Sequence, residues 1–189
     1  MSKILVVEDD RFILENLTEI LEALNYEATP AATAKEAVSI LQSNTDFNLI
    51  LSDIMTPDGD GFDVLSFVRS NPITASIPFI FLTAKTQMKD MRLAMVEGAD
   101  DYLTKPFTIQ EVEESIKSRL NRAEVNSNQA KLALSKTLES FIMPKFWNLI
   151  EQAEALVLKN SSDREGLSLI KELQMMRLTL DKFKLWLEK

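Results

Sequence analysis

The 189 residues include no cysteine and no histidine. Without cysteine there is neither a disulfide framework nor a thiolate metal site. Without histidine as well, the usual ligands of a structural zinc site are missing. Long apolar runs are also absent, since no stretch approaches the roughly 20 residues of a transmembrane span. The opening MSKILVVEDD has no long apolar signal region before what reads as a core strand. A cytosolic protein with no membrane partner is expected. There is no convincing internal repeat and no low-complexity tract. What is present is globular in composition, 46% hydrophobic and 26% charged, and long enough for one good core plus a smaller module.

Charge is unevenly placed. Residues 1–120 carry ten basic against twenty acidic side chains, and residues 121–189 carry eleven against nine. The acidic first part argues against phosphate-backbone binding. The second part scatters both signs and lacks the basic face a nucleic-acid surface wants, so no nucleic-acid partner is expected.

Two periods alternate over the first 120 residues. ILVVE (4–8), FNLILSD (47–53) and PFIFLTA (78–84) are short apolar runs, as in strands buried on both faces. YEAT (26–29) and DYLTK (101–105) are weaker strand candidates. Helical patterns lie between them at 12–24, 33–43, 63–70, 88–98 and 109–120. Ile13, Leu17, Ile20, Leu21 and Leu24 form one stripe, and Gly98 suits a helix C-terminal position. Five strands alternating with five helices give an α/β class: a parallel doubly wound sheet covered on both faces. Sites in such sheets form at the carboxyl ends of the strands.

Glu8, Asp9 and Asp10 follow the first strand, Asp53 ends the third, Thr83 the fourth, and Lys105 the fifth, before Pro106. A parallel sheet brings all of these to one edge. Carboxylates gathered there repel one another unless a cation intervenes, and Mg²⁺ favours carboxylates, waters and phosphate oxygens. Asp53 then suits a nucleophile toward a phosphoryl group, with Mg²⁺ and Lys105 neutralising the oxygens and Thr83 hydrogen-bonding the product. Any one acidic loop end is ordinary and solvated. Five matched positions together are not.

Over residues 3–120 the chain resembles the receiver domain of bacterial two-component response regulators. The matching motifs are ILVVEDD (4–10), LILSDIMTPDGDGF (49–62), PFIFLTAK (78–85) and GADDYLTKPF (98–107). The spacings also fit, 44 residues from Asp9 to Asp53, 30 on to Thr83 and 22 on to Lys105. The resemblance implies a flavodoxin-like fold with phosphorylation of Asp53 by a sensor histidine kinase. It implies Asp9, Asp53 and the Met55 backbone carbonyl as direct Mg²⁺ ligands, with Glu8 acting through water. Lys105 would pair with the phosphoryl group, and its bond to Pro106 would be cis. Thr83 and Tyr102 match the family's switch pair, with the small Ala84 leaving room for an inward Tyr102. Alone, each would be an ordinary strand residue. Met55 and Lys85 occupy positions that tune phosphoryl lifetime in this family. Thr56 departs from it, standing where an apolar residue usually precedes the proline. No enzymatic output is expected beyond the receiver's own phosphorylation and dephosphorylation.

The strand signal stops after residue 120. A receiver over 1–122 and a helical hairpin over 123–189 are the expected domains, with NRAEVNSNQA (121–130) as linker or continuing helix. Leu134, Leu138 and Phe141 are spaced four then three; Ile142, Phe146, Leu149, Ala153 and Leu156 then repeat four, three, four, three. KNSSDREG (159–166) reads as a turn, with Ser162 and Glu165 as a capping box. Leu169, Leu173, Met176, Leu180, Phe183 and Leu187 form a heptad seam. A lone hairpin is too thin to bury both stripes, and a second copy would complete a four-helix bundle. Its expected core sets that seam against Leu134, Leu138, Ile142, Phe146, Leu149 and Leu156, with Trp147 and Trp186 off or near it. A homodimer is therefore expected.

KTLESFIMPKFWNLIEQAEAL (136–156) and LSLIKELQMMRLTLDKFKLWL (167–187) also resemble the dimerisation and phosphotransfer hairpin of sensor kinases. Pro144 falls where those helices commonly have a proline, and Glu139 stands in place of the phosphoacceptor histidine. No nucleotide-binding kinase domain fits in these 189 residues. Two rival outputs stay open. One is a phosphorelay or decoy component that binds a kinase or another receiver. The other is a transcription factor with a divergent DNA-binding tail, against which stand two long helices in place of a helix-turn-helix.

Overall fold

The computed structural model describes residues 1–57, 59–84, 94–160 and 164–187, without the side chains of 160, 164–167, 184, 186 and 187. Lys85, most of the expected helix over 88–98, the Ser162–Glu165 capping box and the side chains of Trp186 and Leu187 lie outside this description.

The chain divides into two compact units, Met1–Glu124 and Val125–Lys189. The first holds β1 (Lys3–Val7), α1 (Arg11–Ala23), β2 (Glu27–Ala31), α2 (Ala34–Ser43), β3 (Leu49–Asp53), a small antiparallel ladder of β4 (Met55–Thr56) and β5 (Gly59–Asp60), α3 (Gly61–Ser70), β6 (Phe79–Ala84) and β7 (Asp101–Lys105). Helix α4 runs from Ile109 to Thr137, so NRAEVNSNQA continues a helix.

Five strands form one parallel sheet in the order β2-β1-β3-β6-β7. Alternation along the central strands explains its two covered faces. Leu5, Val7, Ile50, Phe79 and Phe81 point to one side, against Ala34, Ala37 and Leu41 of α2 and Val64, Leu65 and Val68 of α3. Ile4, Val6, Leu51, Ile80 and Leu82 point to the other, against Leu17 and Leu21 of α1 and Val112 and Ile116 of α4. Burying each such side chain stabilises the fold by roughly 2–3 kcal/mol relative to exposure.

Caps set where the helices begin. The Asp10 carboxylate accepts from the backbone N–H of Phe12 and Ile13, Thr33 caps α2, and Asp60 and Asp63 form a reciprocal box at α3. At the far edge of the sheet, Arg69 donates to the carbonyls of Ala75, Ile77 and Gly98 and pairs with Asp100. Asp100 in turn accepts from the Phe79 N–H. The sequence reading did not anticipate this clamp.

The second unit is a helical hairpin. A π-helical turn over Leu138–Ile142 leads into α5 (Met143–Asn160), and α6 (Arg164–Leu187) packs against α5. The turn has a local cause. Pro144 has no N–H, and its ring crowds the carbonyl four residues back. Widening the preceding turn, with the Met143 N–H bonded to the Leu138 carbonyl, relieves that crowding. Among the described residues of this unit, the buried apolar side chains are Met143 and Ile150, with Leu138, Trp147, Ala153, Val157, Ile170, Leu173 and Leu180 half-buried. The Arg177 guanidinium lies 5.2 Å from the centre of the Trp147 ring, a cation–π contact between the helices. Of the heptad residues read from sequence, Leu173 and Leu180 take part in this inner packing, and Leu138 and Ala153 are also half-buried. Ile142, Phe146, Leu149, Leu156, Leu169, Met176 and Phe183 are exposed. The inner seam lies one residue over because two apolar stripes run side by side on the same helices.

Candidate functional site

The carboxyl ends of β1, β3, β6 and β7 carry the expected side chains. Glu8 follows β1 and is buried, Asp9 beside it is exposed, and half-buried Asp53 closes β3. One oxygen from each lies within 4.8 Å of the others. Asp10 does not join them, because its carboxylate is spent on capping α1.

Lys105 ends β7 and reaches back across the edge. Its Nζ stands 2.5 Å from Glu8 Oε2 and also pairs with Asp53 Oδ2. Burial disfavours the lysine's charge, but hydrogen bonds and attraction from Asp53 and Glu8 outweigh it and raise its pKa above the usual value. The Glu8 carboxyl is pushed up to about 6 by burial, opposed by Lys105 and assisted by the Asp53 charge. The Lys105–Pro106 peptide is cis. Buried Thr83 is the penultimate residue of β6, its hydroxyl 3.2 Å from the Ala84 carbonyl. Tyr102, on β7 next door, is exposed at 40% in this structure.

The loop after Asp53 is tightly held. The Met55 N–H donates to Asp53 Oδ1 at 3.1 Å, and Gly61 N–H to the Ile54 carbonyl at 2.8 Å. Thr56 explains its own departure from an apolar residue. Its hydroxyl donates to the Gly59 carbonyl at 2.8 Å and accepts from the Ala34 N–H at 3.4 Å, tying the loop to the start of α2. Gly61 was not singled out from sequence, yet no other residue fits there. A Cβ would meet the Asp53 carbonyl oxygen at 2.3 Å and the Phe81 ring at 2.7 Å.

Hard oxygen donors, one of them buried, with a lysine bridging two, suit a small divalent cation and a phosphoryl group. Magnesium fits this donor set. An open groove of about 400 Å³ lies beside Lys105, lined by Phe12, Ile13, Asn16, Pro106 and Phe107.

A doubly wound parallel domain with an acidic edge and a bridging lysine is the class that fold and site define. The family model "Response regulator receiver domain" matches residues 4–117, and the chain belongs to that family. Receiver domains of this family are phosphorylated by sensor histidine kinases and bind Mg²⁺ in an acidic pocket. The chain is 36% identical over 122 residues to the response regulator SaeR of Staphylococcus aureus, covering 65% of this chain and 52% of that protein. It thus spans about half the length of the curated relatives it matches. Among solved structures it resembles a response regulator receiver domain protein from Clostridium thermocellum, with TM-score 0.62 and 32% identity over 66% of this chain and 98% of that one. The chemotaxis protein CheY4 of Vibrio cholerae is similar at TM-score 0.59 and 28% identity, over 62% and 98% respectively. No helix among the described residues is long and apolar enough to cross a membrane.

Proposed function

We propose that this protein is a response regulator that accepts a phosphoryl group on Asp53 from a sensor histidine kinase, with association through its helical unit as output. The observation that carries the first half is the meeting of Glu8, Asp9, Asp53 and Lys105 at one edge of the sheet. In the transfer, an Asp53 carboxylate oxygen forms a bond to phosphorus as the donor's nitrogen–phosphorus bond breaks, its electron pair returning to the imidazole. Mg²⁺ held by Asp9, Asp53 and the Met55 carbonyl, with Glu8 through water, would supply charge neutralisation. Lys105 moves from the Asp53 carboxylate to a phosphoryl oxygen, and the Thr83 hydroxyl donates to another. The groove by Phe12 and Phe107 offers the donor protein an apolar landing beside Lys105, the lysine that pairs with Asp53. The receiver would perform its own phosphorylation and dephosphorylation and no other catalysis. Tyr102, exposed in this structure, would turn inward as Thr83 shifts.

The second half, homodimerisation in place of DNA binding, is supported by a hairpin with exposed apolar stripes and a near-neutral charge balance. Its sequence likeness to a kinase dimerisation hairpin, with Glu139 where the histidine would stand, favours a module kept for association. The test has two parts. Intact mass after treatment with a small-molecule phosphodonor and Mg²⁺ should show one added phosphoryl group, lost in Asp53→Asn. Light scattering on a sizing column, with and without beryllofluoride, should show a dimer in at least one state. No acylphosphate on Asp53 would refute the first half, and a monomer in both states the second.

Two rival outputs have their own readouts. A phosphorelay or decoy component would form mixed dimers with a kinase hairpin. A DNA-binding tail would show salt-dependent binding to duplex DNA.

A further inference from the structure

Helices α5 and α6 are in contact, and only three residues separate Asn160 from Arg164, so they run antiparallel. The Trp147–Arg177 contact fixes their pairing. The inner stripe of α5 is Met143, Trp147, Ile150 and Val157. That of α6 is Ile170, Leu173, Arg177 and Leu180.

Each helix has a second, mainly apolar stripe one residue earlier: Phe146, Leu149 and Leu156 on α5, preceded by Ile142 of the π-helical turn, and Leu169 and Met176 on α6, interrupted by Glu172 and Thr179 and continued by Phe183 seven residues after Met176. The contrast in exposure is sharp, with Ile150 at 4% beside Leu149 at 63%, and Met143 at 7% beside Ile142 at 41%. One residue earlier means a turn of about 100° around the helix axis. In antiparallel helices the chain winds in opposite senses when viewed from one end, so equal offsets in both swing to the same side of the pair. The two exposed stripes therefore form one continuous face. On the opposite side, one residue later, stand Asn148, Glu151, Lys171, Gln174 and Asp181, with Leu158, Leu178 and Leu185 scattered among them.

The π-helical turn extends that face. Before it the stripe is exposed Leu134 and Phe141 with half-buried Leu138 between them; after it the repeat restarts at Ile142, one residue out of step. A turn closed by a bond from residue i to i+5 takes up one extra residue. That skip brings both segments into line.

We infer that this face is where a second copy of the chain docks, helix pair on helix pair, to close a four-helix bundle. The inference rests on the association reading above and says which surface performs it. A self-complementary occupant is favoured by the shape, because two neighbouring helices with one shared apolar face are half of such a bundle. It is also favoured by size. The exposed side chains on it offer on the order of 700 Å² per copy, near the roughly 800 Å² per partner of a standard stable interface.

The experiment uses the full chain. Phe146→Glu combined with Leu149→Glu should halve the molar mass measured by light scattering, with far-UV circular dichroism unchanged because both side chains face water in the single chain. Leu178→Glu, on the opposite side, should leave the dimer intact. If the charges also reduce helicity, Phe146→Gln with Leu149→Gln reads the same face more gently. A dimer that survives both double substitutions overturns the assignment of the face while leaving association standing. Loss of the dimer in Leu178→Glu overturns it too. A wild-type chain that is monomeric with and without beryllofluoride removes association and this inference together.

Discussion

Lys105 reaches from the end of β7 to within 2.5 Å of Glu8, the one carboxylate of the site that is fully buried. It is the counter-charge that lets Glu8 and Asp53 share an edge. Removing it in Lys105→Met leaves a buried carboxylate facing another. The expected cost is roughly 2–4 kcal/mol at neutral pH without Mg²⁺, read from the urea midpoint. Added Mg²⁺ should recover part of that loss, because a divalent cation replaces the missing charge. Equal destabilisation with and without Mg²⁺ would show that the lysine acts through packing alone.

Glu8 also makes stability depend on pH in the less common direction for a carboxylate. Its pKa is raised from 4.5 to about 6, chiefly by burial. Between those values the folded state keeps a proton that the unfolded state has released. Its contribution is therefore complete below about pH 4.5 and lost as pH rises through about 6, amounting to about 2 kcal/mol. Urea titrations of the Mg²⁺-free protein between pH 4.5 and 7 should show this slope, and Glu8→Gln should flatten it. Mg²⁺ binding should run the other way, strengthening as Glu8 ionises.

Gly61 begins α3 directly against the backbone of Asp53. In Gly61→Ala the new methyl would sit 2.3 Å from the Asp53 carbonyl oxygen, so either α3 or the end of β3 must move. A loss of roughly 2–4 kcal/mol is expected. Phosphorylation by a small-molecule donor should also slow, since Asp53 moves with its carbonyl. A variant of normal stability and normal rate would mean the contact relaxes without cost.

The receiver was largely legible in the sequence because its signals are local and additive. Buried parallel strands read as apolar runs, and strand ends in such a sheet converge, so Glu8, Asp9, Asp53, Thr83 and Lys105 could be brought together by topology alone. Gly61 and Arg69 were not legible. One depends on a close approach between segments, the other on carbonyls from three different positions, and neither leaves a periodic trace. In the hairpin the heptad residues were visible, but periodicity cannot tell which of two adjacent apolar stripes turns inward. Met143 and Ile150 were passed over for that reason. The step from Phe141 to Ile142 was a sign of the π-helical turn, legible only once Pro144 is seen to need it.

Thr56 bears on the loop whose Met55 carbonyl is proposed above as an Mg²⁺ ligand. Its hydroxyl holds the Gly59 carbonyl at 2.8 Å and meets the Ala34 N–H at 3.4 Å, so it pins the short β4–β5 ladder on one side and α2 on the other. Thr56→Val keeps the volume and removes both bonds; Thr56→Ser keeps the hydroxyl. If the carbonyl's position depends on this pin, Mg²⁺ affinity measured by titration calorimetry should fall roughly tenfold in the valine variant and about twofold or less in the serine variant, as for other groups that orient metal ligands. Amide hydrogen exchange over 54–56 should quicken in the valine variant alone. Equal Mg²⁺ affinity in all three proteins would show that the Asp53 and Gly61 contacts suffice to hold the loop, and that the hydroxyl merely satisfies a half-buried backbone carbonyl.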